Sequence, residues 1–107
     1  AQRSYAAYLA GQWDGLDVAL LPEQHRAVVS GGALETIADP LARLVAAGAQ
    51  FKASRITPAG IALAADTAST QGWRRPLLAW LGVQAQRADE VGKAAIERRM
   101  RLIAPLP

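Results

Sequence analysis

The stretch TPAGIALAADTASTQGWRRPLLAWLGVQAQR, Thr57 to Arg87, decides the fold. Thr57-Pro58 reads as a helix start. The threonine can accept a hydrogen bond from the first turn, and proline's fixed φ suits the first helical position. Ile61, Ala64, Ala65 and Ala68 then recur on one helical face, and Gly72 stands where that helix would end. After Trp73 and the Arg74-Arg75 pair, Pro76 opens a second helix, the longest and most regular in the chain. Leu77, Leu78, Leu81, Ala85 and Ala88 form its apolar stripe, while Gln84, Arg87 and Asp89 turn away. Two amphipathic helices joined by a few residues pack most simply as an antiparallel hairpin.

The same signals recur on both sides. Asp39-Pro40 repeats the start, and Leu41, Leu44 and Val45 follow at helical spacing, with Gly48 as the expected end. Ala49 to Ile56 lacks a clear period and reads as a loop that tucks Phe51 into the core. Gly92 is expected to separate the Pro76 helix from a final one, with Ile96, Met100 and Ile103 inside and Arg98, Arg99 and Arg101 outside. Nearer the start, Ser4 can cap a helix through Tyr5, Tyr8 and Leu9. Gly11-Gln12-Trp13 either breaks that helix or turns it into a second one through Leu16, Val18, Leu20 and Leu21. Pro22-Glu23 opens another, which Gly31-Gly32 interrupts, since paired glycines cost about 2 kcal/mol relative to alanine in a helix interior. Whether it resumes through Leu34 and Ile37 stays open. No segment alternates like a strand over five or more residues. The expectation is one all-α domain over residues 1–107, five or six short helices packed as antiparallel hairpins.

Composition narrows the class further. Half of the 107 residues are apolar, alanine dominates them, and phenylalanine and methionine occur once each, at Phe51 and Met100. Small side chains let helices approach closely while burying less apolar area per residue. The formal charge of +3 is uneven: Arg74 to Arg101 holds seven cations against three acids, Ala1 to Trp73 five against six. Ten of the twelve cations are arginine, a bias that together with the alanine excess also follows from GC-rich coding. There is no cysteine, which excludes disulfides, zinc-thiolate sites and thiol nucleophiles. The uninterrupted apolar runs fall far short of the ~20 residues of a membrane span. The opening Ala1-Gln2 fits a mature form left by signal removal, a trimmed form, or the ordered part of a longer chain. The compartment stays open, with the periplasm slightly ahead of the cytoplasm.

Leu78-x-x-Leu81-Gly82-x-x-Ala85, followed by Gly92 and Ala95, is similar to the tetratricopeptide pattern of a large residue, leucine-glycine, a small residue and a turn glycine. Tyr8, Gly11, Trp13 and Leu16 resemble the turn between the two helices of such a repeat. The interval from Leu81-Gly82 to Gly92 is longer than the standard unit, and no clean period of about 34 residues emerges. The resemblance implies a helical-repeat-like bundle and a protein-binding scaffold with no chemistry of its own.

Trp73-Arg74-Arg75-Pro76 is the most distinctive tetrapeptide. Tryptophan and arginine supply much of the energy of protein interfaces, but Trp73 can equally close the core over the preceding helix, and that reading is preferred. Trp80 lies about 60° off the Leu77/Leu81 stripe, so it either flanks the core or faces a neighbour. The expected partner surface is the one bearing Trp13, Trp73, Arg74, Arg75, Trp80, Arg87, Arg98 and Arg101. Arg74, Arg75, Arg87, Arg98, Arg99 and Arg101, with Lys93 nearby, would alternatively bind nucleic acid. His25, the single histidine, lies in a first helical turn with neither nucleophile nor metal companions in view. Asp14 and Asp17 read as surface acids, and Gly31-Gly32 lacks the lysine and strand of a phosphate loop. No catalytic residue, metal or cofactor is expected. The chain reads as a non-enzymatic interaction module, one component of a larger assembly, in a bacterial envelope if its first residues follow a cleaved signal; homo-oligomerisation is compatible with this.

Overall fold

Asp39 begins the first helix as its sequence requires: its carboxylate accepts from the Ala42 amide at 3.0 Å, and Pro40 follows in the first helical position. Thr57 does the same for the second, its hydroxyl accepting from the Gly60 amide at 3.0 Å ahead of Pro58. The structure, a computed structural model, describes residues 33–103. Four α-helices carry most of them: α1 (Pro40–Lys52), α2 (Pro58–Gln71), α3 (Arg74–Arg87) and α4 (Glu90–Ile103). A 3-10 turn, Leu34–Thr36, precedes α1, and no strand occurs among the described residues. The helices expected before Gly32 lie outside the described residues, so four of the expected five or six are seen.

The two glycines expected to end α1 and α2 behave differently. Gly72 ends α2 as expected. It sits in the left-handed region at φ 74°, its amide bonds to Ser69 O at 3.1 Å and the Trp73 amide to Ala68 O at 2.9 Å. Those two bonds define a Schellman ending. Gly48, in contrast, lies inside α1, which continues to Lys52. The cost of a single helical glycine is only about 1 kcal/mol, and burial on every side of α1 from Leu44 to Gln50 offsets it. The true stop is Ser54, at φ 58°, with Ser54 N–H bonding to Phe51 O at 3.0 Å and Arg55 N–H to Gln50 O at 2.8 Å. This is the same Schellman pattern with serine in the position that glycine usually takes. Phe51 therefore belongs to the last turn of α1 rather than to a loop, and it does pack half-buried against the core.

Two further boundaries shift. α3 starts at Arg74, which puts Pro76 third. Proline fits there because the first four amides of a helix have no partner inside it, and the first α-helical bond runs from Leu77 N–H to Trp73 O at 3.0 Å. Gly92 does not separate α3 from α4. The break falls at Ala88-Asp89, and Asp89 caps α4 by accepting from the Gly92 amide at 2.8 Å. α3 matches α2 and α4 at 14 residues rather than exceeding them.

The core is shared unequally. α2 packs along α3, α3 along α4, and α1 along α2, with the 3-10 turn set against α1 and α2. Leu44, Val45, Ile61, Ala64, Ala68, Leu81 and Trp80 are almost wholly buried. Alanines stand throughout this interior among leucine, isoleucine and valine side chains, and their small size lets the helices come close. α4 is different. It has no buried residue, and the partly buried Ile96, Met100 and Ile103 pack its inner side against the core.

Candidate functional site

The arginines and tryptophans expected to form one surface are dispersed. Trp13 lies outside the described residues, as do His25, Asp14 and Asp17. Trp80 is a correction: at 1% exposed it is the bulkiest fully buried side chain among the described residues, turned into the core, not flanking it. A partner docking on the folded surface cannot reach it. Trp73 stands at the N-cap position of α3, makes no side-chain cap bond, and packs half-buried against the same core. Arg74 and Arg75 are exposed at the beginning of α3, and Arg87 ends it. At 1.5 Å per residue those two groups stand about 20 Å apart along the helix. Arg87 is moreover engaged within the fold, its guanidinium carbon 5.6 Å from the centroid of the Phe51 ring. Arg98, Arg99 and Arg101 are exposed on α4, where they were placed.

The feature the sequence reading missed lies on that same helix. Val91 is 81% exposed and Leu102 80%, the large hydrophobic residues most open to solvent among the described residues. On a helix they lie about 20° apart, and Ala95 and Arg98 fall between them in sequence on the same stripe. The inward stripe of Ile96, Met100 and Ile103 is about 140° away round the helix. α4 is thus apolar on two faces and meets the rest of the fold with only one of them. A helical projection of residues 90–103 carries this signal, but its anchors are aliphatic, whereas the expected surface rests on tryptophan and arginine.

Charge frames the outer stripe asymmetrically. Arg98 lies in it, Arg99 borders one flank, and Arg101 borders the other together with Glu90 and Glu97. Asp89 fixes where the helix begins, and Glu90 sits in the first turn, where an acid complements the positive end of the helix dipole.

Two shallow clefts lie elsewhere. One, of about 240 Å³, runs between the start of α1 and the end of α2 and holds Arg43, Asp66, Thr67 and Thr70. Arg43 is used structurally there. Its Nε donates to Ile37 O at 3.0 Å and a terminal nitrogen to Thr67 Oγ1 at 3.2 Å, tying the segment before α1 to α2. The Thr67 hydroxyl in turn donates to Leu63 O at 2.8 Å. The other cleft, about 290 Å³, opens between the 3-10 turn and the start of α2 beside Glu35, Gln50 and Thr57. Among the described residues no three His, Cys, Asp or Glu side chains gather as a metal site would require, and no helix is long and apolar enough to cross a membrane.

No protein-family model, no curated protein and no solved structure matches the chain.

Proposed function

We propose that this domain is a non-enzymatic protein–protein interaction module, with its helices arranged as antiparallel hairpins and the outer face of α4 as its working surface. The observation that carries the proposal is the pair Val91 and Leu102, each about four-fifths exposed on one stripe of a helix that already spends its other apolar stripe on the fold. A helix of this kind presents anchors at helical spacing to another helix. The sequence chemistry is compatible with a binding role: the chain has no cysteine to serve as a thiol nucleophile or zinc-thiolate ligand. As part of a larger assembly, such a module serves as a scaffold component, the role the tetratricopeptide resemblance also implies.

The test is capture of proteins from the native cell by the tagged chain, compared with its Leu102→Glu variant. The variant should melt as the parent does, because Leu102 is exposed, and should lose a stoichiometric partner that survives moderate salt. Retention of every partner by the variant would refute the surface.

A nucleic-acid reading keeps one observation in its favour: Arg74, Arg75, Arg98, Arg99 and Arg101 are all exposed. It requires affinity that falls steeply with salt, by nearly one power of the salt concentration for each phosphate neutralised. Binding indifferent to salt would end it.

A further inference from the structure

We propose that the occupant of the outer face of α4 is a second copy of this chain, lying antiparallel across a two-fold axis that passes between Ile96 and Glu97. The proposal rests on reading that face as an interaction surface and goes on to name its partner.

The spacing of the stripe supplies the first argument. Val91, Ala95, Arg98 and Leu102 follow one another in steps of four, three and four, the alternation of the core positions in a two-helix seam. A parallel pairing sets each residue of the seam against itself, so Arg98 would face Arg98 of the second copy. An antiparallel pairing centred between Ile96 and Glu97 does something else. It sets Val91 against Leu102 of the second copy and, in the same register, the small Ala95 against its long Arg98. One register thus pairs large with large at both ends and leaves room in the middle for an arginine stem, whose methylenes cover apolar surface while its head reaches water.

Charge selects the same arrangement independently. In an antiparallel pair, matching flanks of the two helices meet. Glu90, Glu97 and Arg101 all border one flank, and Arg98 leans toward it. In the register fixed by Val91 and Leu102, Glu90 comes within about 3 Å of level with Arg101 of the second copy, and Glu97 equally close to level with its Arg98. Symmetry doubles both pairs. Exposed ion pairs add little affinity, but they choose register and orientation, and here Arg98 and Arg101 each come near an acid of the second copy. An anionic lipid surface, by contrast, would be repelled by Glu90 and Glu97 and would find only two large aliphatic side chains to bury.

The seam is short, about 17 Å from Val91 to Leu102. It is smaller than the interfaces of tight dimers, so association should be weak, with half-dimerisation between about 10 μM and 1 mM.

Sedimentation equilibrium of the whole chain over that concentration range tests it. The expected result is a monomer–dimer equilibrium that Leu102→Glu weakens at least about tenfold with unchanged melting. Arg101→Glu should weaken it several-fold, and Glu90→Arg combined with Arg101→Glu should restore it. A chain that stays monomeric at about 1 mM overturns the proposal, as does a dimer indifferent to both Leu102→Glu and Arg101→Glu. The two proposals fail separately. A monomer whose Leu102→Glu variant loses a heterologous partner refutes the second copy and keeps the surface; a variant that alters neither dimerisation nor partner capture removes both.

Discussion

Phe51 stands edge-on to Trp80, with ring centroids 6.1 Å apart and planes at 83°. The pair joins the last turn of α1 to the middle of α3, and Arg87 lies over the outer side of the Phe51 ring. A T-shaped contact of this kind is worth about 0.5–1.5 kcal/mol beyond the area it buries. Trp80 is also the largest fully buried side chain among the described residues, set in an interior of alanine, leucine, isoleucine and valine. Trp80→Ala should therefore cost about 3–5 kcal/mol, through lost transfer energy and a cavity that short neighbours cannot fill. Phe51→Leu should cost roughly 1–2 kcal/mol, and Arg87→Ala about 0.5–1 kcal/mol because its cation–π contact is exposed. Urea unfolding followed by circular dichroism measures all three. A Trp80→Ala protein as stable as the parent would show that this side chain is not a core residue.

The two Schellman endings make opposite demands on their left-handed residue. Ser54 holds φ 58° with a side chain present, whereas Gly72 holds φ 74° without one. A non-glycine residue in this region costs about 1–2 kcal/mol, somewhat less for a small polar one. Ser54→Gly should accordingly stabilise the domain by about 0.5–1 kcal/mol, and Gly72→Ala should destabilise it by a similar amount or more. A Cβ at position 72 would meet no neighbour within 4 Å, so that loss would come from backbone strain alone. Thermal melts of the two variants read the two signs directly.

These two endings also show where the sequence is legible. Helix starts were readable because everything they need is local: Asp39 and Thr57 lie three residues before the amides they cap, and a proline marks the first turn. Helix ends were read from glycine alone, which worked at Gly72 and failed at Gly48 and Gly92. A glycine inside a helix is a small penalty that packing overrides, and a serine can end a helix when two backbone bonds support it. The candidate surface failed in a similar way. The place of Trp80 is not legible locally, because about 60° of helical phase does not say whether a large ring turns inward; that depends on where α1 places Phe51, a contact 29 residues away in sequence. Arg43 looked like an ordinary surface cation, because its partners Ile37 and Thr67 belong to segments whose approach no local pattern encodes.

Gly82 and Gly60 separate propensity from packing. Both are helical, but a Cβ added at Gly82 would meet only the Met100 Cε at 3.9 Å, an ordinary contact. Gly82→Ala should stabilise the domain by about 0.5–1 kcal/mol, the usual gain in helix propensity. At Gly60 the new Cβ would come within 3.0 Å of Ile56 Cγ1 and 3.4 Å of Leu34 Cδ1. Ile56 and Leu34 are buried and cannot swing into solvent, so Gly60→Ala should lose about 1–3 kcal/mol through overpacking. Equal effects at the two sites, measured by the same denaturation assay, would contradict this packing.

Asp89 controls α4 without contributing to the core. Its carboxylate accepts from the Gly92 amide at 2.8 Å, and its carbonyl accepts from the Lys93 amide at 2.8 Å, the first turn of a helix that buries no residue fully. Removing the cap costs about 1 kcal/mol. In a helix that buries no residue fully, that cost should appear as local opening before global unfolding. Asp89→Ala should speed hydrogen exchange of α4 amides about fivefold or more, while amides in α2 keep their protection and the melting temperature falls only slightly. Asp89→Asn, which keeps an oxygen acceptor, should restore most of the protection. If instead α2 and α4 amides were to lose protection together, α4 would be part of the same cooperative unit as the buried helices, and its outer face would be held rigid by the core rather than by its own first turn.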